Sequence, residues 1–511
     1  MSTLASALHR GTVVDAASAA PARAGRRVRF IPWALALTLF LVYAFFTVRR
    51  HELLFTSGYD LGIFEQGVRG YAEGRGPIVE LKGPGFNLLG DHFSPALAVL
   101  APLYWLLPSA VTLLLAQSAL VAVAAVPICR WALRAAGPAT ALAAGFGYGL
   151  SWGLASALGF DFHEITFAVP LIAFAVCALG ERRWTAAALW AAPLVLVKED
   201  LGITVAAVGG YVLWRGDRRT GAATVVFGIG ASLLELLVLL PAMSPGGSFA
   251  YWDNLSGGSG GRSLLTLPLD LVTPGEKVTT VLLLLAPTVL LAARSPLMIV
   301  ALPTLGWRLL SNNPAYWGTN YHYSAVLMPI VFAAFVDVLV KARERNGVLP
   351  RWLVRAAPAA SAVVTLALLP GFAFGQLLTL DLWRTPARVE AARSVLAAVP
   401  DDARVAASNR LVPQLTDRCE VIVFGWPQKW STAEWIVVDE DRPMGWPLSP
   451  DEERRELAAV RRSGYQVVRS DHGITLLRRT PGADATAPET AATAPGTDAT
   501  VPAAPGTPGA G

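Results

Sequence analysis

The sequence predicts an all-α polytopic membrane domain with about 11 to 13 transmembrane helices, followed by a small C-terminal α/β domain. Three observations predict it. The 511-residue chain is 54% hydrophobic and 15% charged, where a soluble protein of this size carries about a quarter charged residues. Apolar stretches of spanning length recur from Phe30 to Leu377, with Arg-rich links at every second break. Beyond Leu377 the pattern changes to short apolar runs between polar turns. The expected plan is a disordered cytoplasmic N-terminus at 1–29, a membrane domain at 30–378, an extracytoplasmic α/β domain at 379–480 and a disordered Ala/Pro/Thr/Gly tail at 481–511.

Composition also excludes some classes. The net charge of +5 does not point to nucleic acid, because Lys and Arg are scattered over helix ends and form no continuous patch. Cys129, Cys177 and Cys419 imply neither a disulfide framework nor a Cys metal site. No P-loop, G-x-S-x-G, H-E-x-x-H or G-x-G-x-x-G pattern occurs, and the glycine-rich run Ser256–Gly261 reads as a loop.

The first apolar segment, Phe30–Val48, follows Arg23, Arg26, Arg27 and Arg29. It is too long for a signal-peptide core and reads as a retained anchor with the N-terminus inside. Further segments fall at Ser94–Leu107, Val111–Ile128, Pro138–Leu158, Phe167–Leu179, Trp184–Val197, Leu201–Trp214, Thr220–Leu240, Val278–Ala293, Pro296–Leu310, Tyr323–Val340 and Trp352–Leu377. Ser94–Leu107 is short and proline-rich, as a re-entrant piece is. If it does not cross, every Arg-rich break faces the cytoplasm. If it crosses, the later loops invert unless a second segment also fails to cross. Trp184–Val197 and Leu201–Trp214 read as a tight hairpin tipped by Lys198-Glu199-Asp200.

In the C-terminal region, Ala387–Val399 reads as an amphipathic helix, and Arg404–Ala407, Val421–Phe424 and Trp435–Val438 read as short buried strands. Pro450–Ser463 reads as a helix capped by Ser449, with Glu452 and Glu453 in its first turn. Tyr465–Arg469 and Ile474–Arg478 flank the turn Asp471-His472-Gly473, a hairpin signature.

Ionisable groups collect in the loops opposite the Arg-rich breaks. Asp60 and Glu65 lie in Gly58–Gln66, where Leu61, Phe64, Val68 and Tyr71 have helical spacing. Asp60 suits a helix cap, a general base or a metal ligand. Gly90-Asp91-His92 suits a divalent metal, a phosphate or simply the start of a re-entrant helix. Asp161-Phe162-His163-Glu164 places carboxylates and an imidazole between apolar walls, a setting for perturbed proton affinity, metal binding or an ordinary polar loop. Lys198-Glu199-Asp200 carries charges at a membrane boundary, which pair internally or serve a site. Tyr321 and His322 open an apolar segment in an aromatic-rich stretch that also fits an interfacial belt.

Taken together, Tyr59–Gln66, Gly90–Pro95, Asp161–His163, Lys198–Asp200 and Asn320–Tyr323 resemble a bacterial family of predicted membrane proteins, domain of unknown function 2079 (DUF2079), over about Val48 to Arg479. That family is similar in turn to the GT-C superfamily of membrane glycosyltransferases. The resemblance implies a GT-C-like fold in the bacterial cytoplasmic membrane, a polyprenyl-phosphate-linked sugar donor, and transfer at the outer face. It implies that Asp60, in the first outer loop, is catalytic with Glu65 nearby. Many GT-C enzymes have a tighter acidic pair. It further implies that Asp91, His92, Asp161 and His163 hold a divalent ion (Mg or Mn) or the leaving phosphate, and that Lys198, Tyr321 and His322 line the donor's phosphate. Two other readings compete: a transporter or lipid-linked flippase, and a non-catalytic assembly or sensor protein.

Overall fold

The computed structural model describes residues 29–247, 267–344, 349–426 and 430–481. The expectations for 1–28, for the Ser256–Gly261 loop and for the tail from 482 lie outside the described residues.

Among the described residues six helices are long and apolar enough to cross a membrane: α1 (Ile31–Glu52), α4 (Ala110–Ala136), α5 (Pro138–Gly159), α9 (Arg218–Met243), α12 (His322–Glu344) and α13 (Arg351–Gly371). Five shorter apolar helices accompany them: α3 (Pro95–Leu106), α6 (Glu164–Gly180), α7 (Trp184–Leu196), α8 (Leu201–Arg215) and α11 (Pro296–Leu310). A short amphipathic helix, α2 (Ile63–Ala72), lies between α1 and α3. Most segments match the hydropathy pattern. Val278–Ala293 does not form one helix. α10 (Glu276–Leu285) stops early, and Val289 and Leu290 take left-handed backbone conformations that end it.

α12 is the hub: every residue from Leu327 to Leu339 is buried. α1 packs along α5, where a Cβ on Gly145 or Gly149 would run into Leu35 or Leu39. Small residues at this spacing let two helices approach closely where no water drives them together. The Tyr43 hydroxyl closes the seam by donating to the Gly149 carbonyl at 2.5 Å. The Arg-bearing links meet at one end of the bundle. There Arg134 and Arg183 pair with Glu181, and Arg343 reaches Thr140 on α5.

The C-terminal region forms a five-stranded sheet in the order β2-β1-β3-β5-β4. β1 (Arg404–Ala407) lies parallel to β2 (Glu420–Val423) and to β3 (Trp435–Asp439). β5 (Ile474–Arg479) is antiparallel to both β3 and β4 (Tyr465–Asp471). β1 to β3 are buried on both faces and read as continuous apolar runs, as parallel strands do. Val405, Val421 and Val437 share a core with α14 (Ala387–Leu396), whereas Ala406, Ile422 and Ile436 pack under α15 (Pro450–Arg462). The first of these cores runs on without a break into the helical bundle, so the sheet is docked on it. Ser449 caps α15 in a reciprocal pair with Glu452, and His472 sits in the β4–β5 turn, as the sequence suggests.

Candidate functional site

α1 ends at Glu52, and Leu54, with φ of +63°, turns the chain away from the helix axis. The next residues, Gly58–Gly62, form one wide π-helical turn that carries Asp60 and runs into α2. Such turns re-aim a side chain and recur at functional sites. Gly58 is required here, since a Cβ would overlap the Val412 side chain at 2.5 Å. The C-terminal domain holds this turn from outside. The Asn409 carbonyl accepts the Gly58 N–H at 2.8 Å, and its side-chain oxygen accepts the Tyr59 N–H at 2.9 Å.

Asp60 therefore does not cap α2 through its side chain. One carboxylate oxygen lies 3.2 Å from His163 Nε2, and the other accepts the Ser57 hydroxyl at 3.1 Å. Asp161 accepts the same hydroxyl at 3.0 Å and the Ser57 N–H at 2.8 Å. One hydroxyl proton cannot serve two carboxylates, so the set is fully bonded only when one acid is protonated. Below a pH of about 7 Asp161 holds that proton. Burial, then the Asp60 charge, push its carboxyl up to about 7.

Asp161 and His163 converge on the Asp60–Ser57 group from one loop. Asp161 has φ +76°, a strained value outside glycine, which turns it toward Ser57 while His163 reaches Asp60. Gln117 holds this loop open: its amide donates to the Asp161 carbonyl at 2.9 Å, and its oxygen accepts the His163 N–H at 3.2 Å. His322 stacks on His163 with ring centroids 3.8 Å apart, and Phe160 packs against both rings, 5.3 Å from His163 and 6.1 Å from His322. Each imidazole keeps a buried Nδ1 without a hydrogen-bond partner among the described residues. Tyr321 packs on Phe160 and stands within electrostatic reach of Asp60. Asp60 is the open member of the group, with 16% of its side chain exposed against 6% for His163.

A second polar group adjoins the first. His92 Nδ1 lies 2.8 Å from Glu199, which also accepts the Phe93 N–H at 3.1 Å. Lys198 Nζ lies 3.0 Å from Glu164, and Lys82 Nζ lies 2.6 Å from Asp91. Burial opposes the charge on Glu199, but His92 and Lys198 outweigh it and hold the carboxyl below its usual range. Burial likewise opposes the charge on His92 and on Lys198. Glu199 and Asp91 keep His92 above its usual value, and Glu164, Glu199 and Asp200 do the same for Lys198.

The four expected metal ligands do not form one set. Asp161 and His163 belong to the Asp60 group, whereas Asp91 and His92 are paired with Lys82 and Glu199. Among the described residues no three His, Cys, Asp or Glu side chains are placed to hold a metal ion. The reason is electrostatic: each of these buried ionisable groups already has a partner at hydrogen-bond distance. Glu65 also departs from expectation. It is fully buried, accepts the Tyr104 hydroxyl at 3.1 Å and the Thr416 hydroxyl, and fastens α2 to α3 and the C-terminal domain. Burial pushes its carboxyl up to about 8.

Sequence reasoning overlooked Ser57, Gln117 and Asn409. A signal existed for Gln117, an amide within the apolar run Val111–Ile128, where a polar side chain needs a partner. Ser57 and Asn409 carry no such signal.

A polytopic helical bundle with a polar cluster in the loop after its first helix and a small docked α/β sheet defines the class, a polytopic membrane protein. The chain belongs to the predicted membrane protein family DUF2079, whose profile matches residues 50–476. Among solved structures it is similar to ArnT from Cupriavidus metallidurans in the apo state, with TM-score 0.52, 14% identity, and coverage of 92% of this chain and 100% of that one. The same protein bound to undecaprenyl phosphate gives TM-score 0.49 and 15% identity, over 88% of this chain and 98% of that one. At these identities the likeness concerns the fold alone. No curated protein matches.

Proposed function

We propose that this protein is an inverting glycosyltransferase of GT-C type that takes a sugar from a polyprenyl-phosphate donor at the outer face of the bacterial cytoplasmic membrane. The observation that carries this reading is the Asp60 carboxylate. It is partly open to ligand and is tied to loops that meet only in three dimensions, through His163 and, via Ser57, Asp161.

In the proposed reaction Asp60 accepts the proton of an acceptor hydroxyl as that oxygen bonds to the anomeric carbon. The bond between the anomeric carbon and the lipid phosphate breaks, and the phosphate leaves with the electron pair. His163 orients Asp60, while protonated Asp161 keeps a second negative charge from competing for the same proton. In this reading Lys198, which pairs with Glu164, and the unpartnered Nδ1 of His322 offset charge on the leaving phosphate. The donor class follows from the family resemblance and suits the setting, since the polar groups sit where α1, α6, α8 and α12 begin or end. No step is routed through a metal, because the expected ligand set does not assemble.

The test is turnover of a labelled polyprenyl-phosphate sugar in reconstituted vesicles. Asp60→Asn should lower turnover by about 10²–10⁴-fold. Equal turnover by the variant and the native protein removes Asp60 from the mechanism.

A further inference from the structure

β1, β2 and β3 run parallel, so their carboxyl ends open on one edge of the sheet. In open sheets of this kind ligands sit beyond the carboxyl ends of the strands. That edge holds a recess lined by Asn409, Arg410, Asp439, Arg442, Trp446 and Glu453, among others.

The charges in the recess do not cancel. Asp439 is bonded to Arg388 and accepts the Arg442 backbone N–H. Glu453 accepts the Ser408 hydroxyl at 2.9 Å, and burial pushes its carboxyl above the usual range. Arg410 and Arg442 remain: among the described residues neither makes an ion pair within 4 Å. The Arg410 Nε is buried with no hydrogen-bond partner. Arg410 lies within electrostatic reach of Arg388 and Arg442, which oppose it, and of Asp161, which favours it without bonding to it. An unpaired buried guanidinium is costly, and a phosphate matches its fork of donors.

The recess also adjoins the Asp60 turn. Asn409, next to Arg410, holds Gly58 and Tyr59, and the Tyr59 ring packs on Trp446 at 4.4 Å. We infer that this recess, with Arg410 and Arg442 as its cations, binds the phosphate group of a ligand that reaches the Asp60 turn. Two uncompensated arginines match a phosphate monoester, which carries close to two negative charges. That phosphate is either the lipid phosphate released from the donor or part of a second, acceptor molecule. Binding of this anion is separable from transfer chemistry, so failure of the Asp60→Asn test leaves it standing.

The experiment is a titration of the full chain in nonionic detergent with inorganic phosphate, at constant ionic strength, followed by tryptophan fluorescence. A parallel series uses farnesyl phosphate. Native protein and Arg404→Gln, at the opposite end of β1, should show a saturable response to inorganic phosphate. Arg410→Gln and Arg442→Gln should bind it at least about tenfold more weakly. Arg442 is exposed, so its variant remains informative if Arg410→Gln misfolds. Farnesyl phosphate weakened by the same substitutions assigns the phosphate to the donor, and farnesyl phosphate unaffected by them assigns it to a second ligand. No saturable response to inorganic phosphate in native protein, or equal affinity in native protein and both variants, overturns the site.

Discussion

Replacing Glu65 with glutamine separates a structural carboxyl from a catalytic one. Glu65 is fully buried, and its carboxyl is raised from 4.5 to about 8. Between those two values the folded protein holds a proton that the unfolded chain has lost. Stability is therefore greatest below pH 4.5 and falls as pH rises through the window. At about 1.4 kcal/mol per pH unit, the loss across the window is at most about 5 kcal/mol. Glutamine cannot ionise; the Tyr104 and Thr416 hydroxyls sit on different carboxylate oxygens, so its oxygen accepts one of them and its amide N–H donates to the oxygen of the other. In a pH series of denaturant or thermal unfolding in detergent, Glu65→Gln should show a shallower decline than native protein and be the more stable of the two at pH 8. Turnover of the labelled donor should persist. An unchanged pH slope would refute the burial account, and a loss of turnover as deep as that of Asp60→Asn would return Glu65 to the catalytic centre.

Three further expectations follow from the same geometry. Gln117→Leu removes both hydrogen bonds that hold the Asp161–His163 loop and should cost about 2–3 kcal/mol in denaturant unfolding, with turnover falling as His163 loses its register on Asp60. Asp161→Asn should make the decline in stability between pH 3.8 and about 7 shallower, because the folded protein no longer takes up that proton while Glu65 still takes up its own; a pH series of melting temperatures checks the slope. Cysteines placed at the exposed positions Glu73 and Arg182 should react with an impermeant maleimide from opposite sides of the membrane, Glu73 in intact cells and Arg182 only after permeabilisation.

Much of this architecture could be read from local pattern. Hydropathy marks the long spans because a chain in lipid must satisfy its backbone internally, and only a helix does so within one segment. The short strands and the capped helix of the C-terminal region fell within a residue or two of their observed limits, except β4, which runs on to Asp471. There the continuous apolar runs of β1 to β3 and the reciprocal Ser449–Glu452 cap are local properties. The polar loops, too, were named correctly as the places where ionisable groups gather.

What local pattern could not supply was which of those groups face one another. Asp60 and Glu65 lie five positions apart on consecutive turns, and helical geometry sends them to different sides, one toward His163 and the other into a seam against Thr416. Asp91-His92 and Asp161-His163 look alike in sequence, yet the first pair is taken by Lys82 and Glu199 and the second by Asp60 and Ser57. Partners a hundred or more residues away settle these choices. A buried charge is tolerated only beside a neutralising group, and packing of the bundle and the docked sheet determines which group is near.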